Sequence, residues 1–94
     1  MQMHYIKNNK ELAKNMRFLR KCYGFTQQKV AKSMGITRSS YSYYESGRVL
    51  PDLYALIKLC EFYDIELADL VTKEGVQKVR IDLDSASNGE KKSR

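Results

Sequence analysis

The sequence predicts an all-α protein with five short helices in one domain, and three observations support this. Apolar residues recur at intervals of three and four through five successive segments, a spacing typical of amphipathic helices. Three of the segments follow Thr26, Thr37 or Asp52, whose side chains can accept a hydrogen bond from the first turn of a helix. Glycine follows each of the first three segments and is expected to end it. With 94 residues and 43% hydrophobic content, the chain has room for a single modest core.

The first three predicted helices lie in the amino-terminal half. The first begins at Asn9 and ends at Gly24, the second covers residues 27–34, and the third runs from Thr37 to about residue 45. The side chains expected to face inward are Leu12, Met16, Leu19, Val30, Ala31, Met34, Tyr41 and Tyr44. Between the apolar positions of the first helix are the basic residues Lys10, Lys14, Arg17 and Lys21. This alternation of apolar and charged faces makes the first helix amphipathic.

The fourth and fifth predicted helices are followed by a change of pattern. The fourth begins after Asp52, beside the only proline, and the fifth covers residues 66 to about 72. Their inward positions are Leu53, Leu56, Leu59, Cys60, Tyr63, Leu67, Leu70 and Val71. After Gly75 the period changes to two, with Val79, Ile81 and Leu83 alternating with charged residues, which favours a short β-strand.

These elements divide the chain into four parts. Residues 1–8 form an amino-terminal extension, residues 9–73 the helical domain, and residues 74–84 a strand or dimerisation segment. Residues 85–94 are nearly free of apolar side chains and are predicted to be disordered. No apolar run approaches the ~20 residues of a membrane span, and the amino terminus does not resemble a signal peptide. We therefore expect a cytoplasmic protein that does not contact a membrane.

The charge is distributed unevenly along the chain. The whole sequence carries a net charge of +6. Residues 1–51 contain ten basic and two acidic residues, a net +8, whereas residues 52–72 contain one basic and five acidic residues, a net −4. A protein that docks one face on phosphate groups is expected to have such an asymmetry, although a solvated basic surface would also produce it.

The inventory of reactive side chains argues against an enzyme and against a bound metal or other cofactor. His4 is the only histidine, and Cys22 and Cys60 are far apart in the sequence. The basic half contains neither clustered carboxylates nor a glycine-rich phosphate loop. Cys60 falls at an apolar helical position, where a reduced cysteine is the simplest interpretation.

The second and third predicted helices form the most informative motif. The small Ala31 allows the two helices to cross closely, and Gly35 supplies the positive φ that a short turn between them requires. Ile36 and the two inward tyrosines then fix a nearly perpendicular crossing. This geometry leaves one face of the third helix free, with four side chains able to donate hydrogen bonds: Arg38, Ser39, Ser42 and Tyr43.

With these residues in place, the chain resembles the phage repressor and Cro type of helix-turn-helix protein, also called the xenobiotic-response-element type. The matching segments, which span about residues 10–71, are Arg17-Phe18-Leu19-Arg20-Lys21, Gly24-Phe25-Thr26-Gln27, Val30-Ala31, Gly35-Ile36-Thr37-Arg38, Glu45-Ser46-Gly47-Arg48, Pro51 and Leu53. The resemblance implies a five-helix, lambda-repressor-like domain that binds double-stranded DNA, usually as a dimer, to control transcription. The chain departs from the family at Tyr41 and Tyr44, where aliphatic residues are usual, and at Ser46, where asparagine is common.

The resemblance also implies roles for individual residues. It places Arg38, Ser39, Ser42 and Tyr43 where the family contacts bases, and Gln27 and Arg48 where it contacts the DNA backbone. We group with these, as residues that contact phosphate or position the site, Thr26, Thr37, Arg20 and Ser46. Arg20 and Glu45 match a pair that links the first helix to the end of the third, so we expect a structural salt bridge.

Two questions remain open from the sequence. Arg38 can pair with a guanine edge, contact phosphate or simply be solvated, and Tyr43 can touch a base or donate to phosphate. A protein-binding module, such as an antitoxin or a transcription adaptor, is the alternative to a DNA-binding repressor. We expect a homodimer whose interface draws on carboxyl-terminal apolar side chains, namely Ile57, Phe62, Leu67, Val71, Val79, Ile81 and Leu83.

Overall fold

A computed structural model describes residues 2–88, and all the regular secondary structure of this range is helical. The six helices are α1 (Asn9–Tyr23), α2 (Gln27–Met34), α3 (Arg38–Glu45), α4 (Leu53–Tyr63), α5 (Leu67–Leu70) and α6 (Lys73–Asn88). The prediction of an all-α fold is therefore confirmed, and the first four helices lie where the sequence placed them. The fifth is shorter than predicted, and α6 was not predicted.

The helix starts are fixed by the side chains that the sequence indicated. Thr26, Thr37 and Asp52 each accept a hydrogen bond from the backbone nitrogen three residues later, at 3.0, 3.1 and 2.8 Å. Each bond satisfies a donor that has no partner inside its helix, which is why these residues select the helix start. Gly35 adopts a left-handed conformation with φ 73° at the end of α2, so the turn to α3 has the predicted form.

The core lies where α1 packs against α3, α5 and α6, and where α2 packs against α3 and α4. Its buried apolar side chains are Leu12, Ala13, Met16, Leu19, Val30, Ala31, Met34, Tyr41, Ala55, Leu59, Tyr63, Leu70, Val76 and Val79. Two predicted inward positions are wrong: Leu53 is 63% exposed and Leu67 is 43% exposed. Tyr44 is half-buried and packs against the edge of the core. Ala55, Leu59 and Tyr63 mark the inner face of α4, and Leu53 lies about 200° around the helix from Ala55.

The predicted strand at the carboxyl end is wrong, because residues 73–88 form α6. Val76, Val79 and Leu83 are spaced by three and four and face the core, whereas Ile81 is 62% exposed. Val79 and Leu83 therefore fit a helical period as well as an alternating one. The segment forms a helix because its apolar side then packs against α1 and α5. The predicted disorder is also wrong for residues 85–88, and residues 89–94 lie outside the described part of the chain.

The amino-terminal extension is attached to the junction of α5 and α6. Ile6 donates its backbone N–H to the Val71 carbonyl at 2.9 Å, and Lys73 donates to the His4 carbonyl at 3.0 Å. The His4 ring contacts the Glu74 carboxylate. At the same junction, a Cβ added to Gly75 would lie 2.3 Å from the Asp69 Cα, so α6 can approach α5 this closely only with glycine here.

Candidate nucleic-acid interface

The outer face of α3 is the candidate surface for contacting bases. Arg38, Ser39 and Tyr43 are exposed and Ser42 is half-buried, so the structure brings the four predicted residues together on one side of the helix. We call Arg38, Ser39, Ser42 and Tyr43 the α3 outer face. Since these side chains can all donate hydrogen bonds, and Ser and Tyr hydroxyls can also accept them, the face is suited to base edges and phosphates.

Most of the predicted positioning residues lie at the start of α2 or at the two ends of α3, whereas Arg20 lies in α1. Thr26 and Thr37 are exposed, and their hydroxyl oxygens cap α2 and α3. At the other end of α3, the Ser46 hydroxyl donates to the Tyr43 carbonyl at 3.1 Å. The Arg48 guanidinium lies over the Tyr43 ring, 5.6 Å from its centroid, and thereby places a cation beside the α3 outer face.

Glu45 joins three elements through a buried carboxylate that is only 2% exposed. It accepts hydrogen bonds from Arg20 Nε at 2.7 Å and from an Arg20 terminal nitrogen at 3.0 Å. Gln27 Nε2 donates to the same carboxylate at 3.0 Å, and the Tyr41 hydroxyl also donates to it. The structure thus brings Arg20 and Glu45 together as a two-point ion pair, and it adds two donors that the pairing alone did not indicate.

This set of donors controls the ionisation of Glu45. Burial by itself would raise the pKa of the carboxyl, but the hydrogen bonds from Arg20, Tyr41 and Gln27 outweigh it and leave the pKa below its ordinary value. The bond with Glu45 also raises the pKa of the Arg20 guanidinium. Glu45 is therefore charged at neutral pH, and its charge holds Arg20, Gln27 and Tyr41 in fixed positions.

The sequence interpretation also missed a contact from Arg17 at this site. Arg17 donates a hydrogen bond to the Glu45 carbonyl at the last turn of α3. The signal was available, since Arg17 lies three residues before Arg20 and side chains at that spacing share a helix side. The two arginines of α1 therefore hold the end of α3 through its backbone and its side chain.

The residues predicted for a dimer interface do not all lie on the surface. Ile57, Leu67 and Ile81 are exposed, and Phe62, Val71 and Leu83 are half-buried. Val79, with 6% exposure, belongs to the core and presents no free surface. The structure also exposes Val49, Leu50, Leu53 and Tyr54, and of these the apolar pattern had assigned Leu53 to the core. We call Leu53, Tyr54, Ile57 and Leu67 the α4–α5 apolar patch.

Among residues 2–88, no group of three or more histidine, cysteine, aspartate or glutamate side chains is arranged to bind a metal ion. In the same range, the helices are all too short or too polar to cross a membrane.

The sequence profile of the helix-turn-helix family matches residues 16–70, more than half of the chain. The chain belongs to this family, in its xenobiotic-response-element type. It is 37% identical over 67 residues to the HTH-type transcriptional regulator YqaE of Bacillus subtilis, covering 71% of this chain and 58% of that protein. It thus spans little more than half the length of this relative.

Two further relatives differ in their roles. The chain is 37% identical over 46 residues to the cryptic phage CTXphi transcriptional repressor RstR of Vibrio cholerae, covering 49% of this chain and 41% of that protein. It is 30% identical over 63 residues to the antitoxin PezA of Streptococcus pneumoniae, covering 67% of this chain and 40% of that protein. The relatives of the chain thus include both transcriptional regulators and an antitoxin.

The fold agrees with this assignment. The crystal structure of the clp gene regulator ClgR from Corynebacterium glutamicum superposes with a TM-score of 0.65 at 18% identity, covering 85% of this chain and 83% of that one. This likeness shows a shared fold.

Proposed function

We propose that the protein is a sequence-specific double-stranded DNA-binding regulator of transcription, a repressor, that acts in the cytoplasm. The observation that carries this is the α3 outer face, where Arg38, Ser39 and Tyr43 are exposed to solvent and Arg48 lies at one end. The net +8 of residues 1–51 would attract phosphates to the same half of the chain. Repression is favoured by the likeness to RstR.

In this proposal the side chains divide into two groups. The α3 outer face enters the major groove and contacts base edges, with Arg38 deepest because it lies in the first turn of the helix. Gln27 and Arg48 contact phosphates at the groove edges, supported by Thr26, Thr37, Ser46 and Arg20. Gln27 has one amide hydrogen engaged by Glu45, which leaves the other free for a phosphate oxygen.

A selection of bound sequences from random duplex DNA tests the function. We expect an inverted repeat, and we expect the affinity for it to fall steeply with salt. A log–log slope of roughly −4 to −8 per dimer follows from about 0.9 released counterions per phosphate contact. Recovery of no common sequence, together with salt-independent binding, would exclude a sequence-specific DNA-binding role.

Replacement of Arg38 by alanine should separate base contacts from phosphate contacts. We expect a loss of about 1 to 3 kcal/mol on the preferred site and relaxed preference at one base pair per half-site. Gln27→Ala and Arg48→Ala are the comparison variants, and they should weaken binding to all sequences about equally. The same selected sequence with unchanged affinity for Arg38→Ala would instead assign base contact to Tyr43 and Ser39.

We further propose that the protein dimerises through the α4–α5 apolar patch, with the two α3 helices about 34 to 36 Å apart on one side of the duplex. The patch exposes four large apolar side chains on neighbouring helices, and burial of such side chains against a second copy would remove them from water. This proposal keeps Ile57 and Leu67 of the predicted interface and leaves out the other five residues, Phe62, Val71, Val79, Ile81 and Leu83.

Ile57→Asp should therefore weaken the dimer more than tenfold, because each burial of an isoleucine contributes about 1.5 to 3 kcal/mol and occurs twice across a two-fold axis. Ile81→Asp, the matched change on α6, should leave the dimer intact. Sedimentation velocity at several concentrations measures both. Monomers produced by Ile81→Asp but not by Ile57→Asp would move the interface to α6.

A second candidate function, a protein-binding antitoxin or transcription adaptor, is favoured by the likeness to PezA and by the exposed apolar patch. Purification from the native cell distinguishes the two. If a second polypeptide copurifies in stoichiometric amount with wild type but not with Ile57→Asp, the α4–α5 apolar patch is its docking surface.

A further inference from the structure

A row of four basic side chains runs along one side of α1. Lys10, Lys14, Arg17 and Lys21 are spaced by four, three and four residues, so they share one side of the helix over about 16 Å. The three lysines are exposed and Arg17 is half-buried. We call these four residues the α1 basic row.

The charges of this row are not balanced by acidic side chains. The ion pairs of residues 2–88 join His4 to Glu74, Arg20 to Glu45 and Arg80 to Asp84, and none of them includes a member of the row. Glu11 is the only acidic residue of α1, and its carboxylate accepts from the Lys7 backbone at the start of the helix. Like charges four residues apart repel each other and destabilise a helix. The free protein therefore maintains this row at a cost that a polyanion would remove.

The row lies beside the end of α3 rather than beside α6. Arg17 donates to the Glu45 carbonyl at the last turn of α3, and a Cβ placed on Gly47 would lie 3.6 Å from the Lys10 Cα. The opposite flank of α1 is closed, since Asn15 Nδ2 donates to the Leu70 carbonyl at 2.8 Å. The α1 basic row is thus continuous with the turn that carries Arg48.

We propose that the α1 basic row is a second phosphate-binding surface, which holds the DNA backbone beside the half-site that the α3 outer face contacts. This rests on the proposed DNA-binding function. The row extends over about 16 Å, which is long enough for its side chains to contact more than one phosphate of one strand, since the phosphates of a strand recur about every 3.4 Å along the helix axis. Such contacts add affinity without adding sequence preference.

The test compares two double variants with equal charge change. Lys10→Gln/Lys14→Gln removes two charges of the row, and Lys73→Gln/Lys78→Gln removes two exposed lysines of α6. Affinity for the selected duplex is measured over a series of salt concentrations. We expect the log–log slope of the first variant to become shallower by about 1.8 per protomer, from 0.9 per lost phosphate contact, and that of the α6 variant to stay close to wild type.

Two further measurements make the interpretation unambiguous. The melting temperature of free Lys10→Gln/Lys14→Gln should be equal to or above that of wild type, because repulsion is relieved, and the sequence that it selects should be unchanged. Equal slopes for the two variants, a lower melting temperature or a changed selected sequence would each overturn the proposal. Wild-type protein that binds no duplex would overturn the DNA-binding function itself. Failure of that function is thus distinguished from failure of the proposal for the α1 basic row.

Discussion

Tyr41→Ala is expected to lower the free energy of unfolding by about 3 to 5 kcal/mol, the range for removing a large aromatic side chain from a core. Tyr41 is fully buried, and its ring contacts Tyr44 edge to face with centroids 6.4 Å apart. Burial and the bond to Glu45 both raise the pKa of its hydroxyl, so Tyr41 stays protonated and acts as a donor. Alanine would remove both the packing and this donor.

Urea unfolding of three variants measures the effect. Tyr44→Ala is the control, and it should cost clearly less than Tyr41→Ala because Tyr44 is half-buried. Tyr41→Phe keeps the ring and removes only the hydrogen bond to a charged group, a change worth about 1.5 to 3 kcal/mol. Equal losses for the two alanine variants would contradict the difference in burial.

The two tyrosines also show what a helical period can predict. Their spacing of three placed both on the inner side of the third helix, and the structure puts Tyr41 inside and Tyr44 at the edge of the core. Periodicity gives the direction of a side chain, whereas its depth depends on which helices lie opposite. The same limit explains Leu53, which the pattern assigned to the core and the structure leaves in solvent.

The carboxyl-terminal helix shows a different limit. Residues 79 and 83 fit both an alternating and a helical pattern, and only Ile81 distinguishes them. The deciding contacts are the burial of Val76 and Val79 against α1 and α5, together with the close approach at Gly75. Contacts between residues distant in sequence cannot be obtained from a local pattern, so the strand prediction was wrong there while the capped helices were correct.

At the candidate site, the sequence predicted the exposed residues better than the buried hydrogen bonds that hold α3 in place. The spacing of Arg38, Ser39, Ser42 and Tyr43 was enough to place them on one face. The pairing of Arg20 with Glu45 came from the family resemblance. That Gln27 and Tyr41 donate to the same carboxylate depends on how far their side chains extend across the packed helices, which no spacing encodes.

Glu45→Gln is expected to destabilise the fold by about 3 to 5 kcal/mol at neutral pH, because it leaves the largely buried Arg20 guanidinium without its counter-charge. The neutral amide also accepts more weakly from Tyr41 and Gln27 than a carboxylate does. The affinity for DNA should fall as well, since Gln27 and the end of α3 lose a fixed partner. Chemical unfolding at pH 7 measures the first effect, and duplex binding of the folded fraction measures the second.

The difference in free energy of unfolding between wild type and Glu45→Gln should shrink as the pH falls. The pKa of Glu45 is lower in the folded chain than its ordinary value of 4.5, so its charged form stabilises the fold and folding opposes its protonation. This contribution is complete above about pH 4.5 and is lost as the pH falls through the lower, folded-state pKa. Unfolding free energies at pH 7, 5, 4 and 3 should therefore converge for the two proteins towards acid, because the other carboxyl groups are common to both. A difference that stays constant down to pH 3 would show that the Glu45 charge does not stabilise the fold.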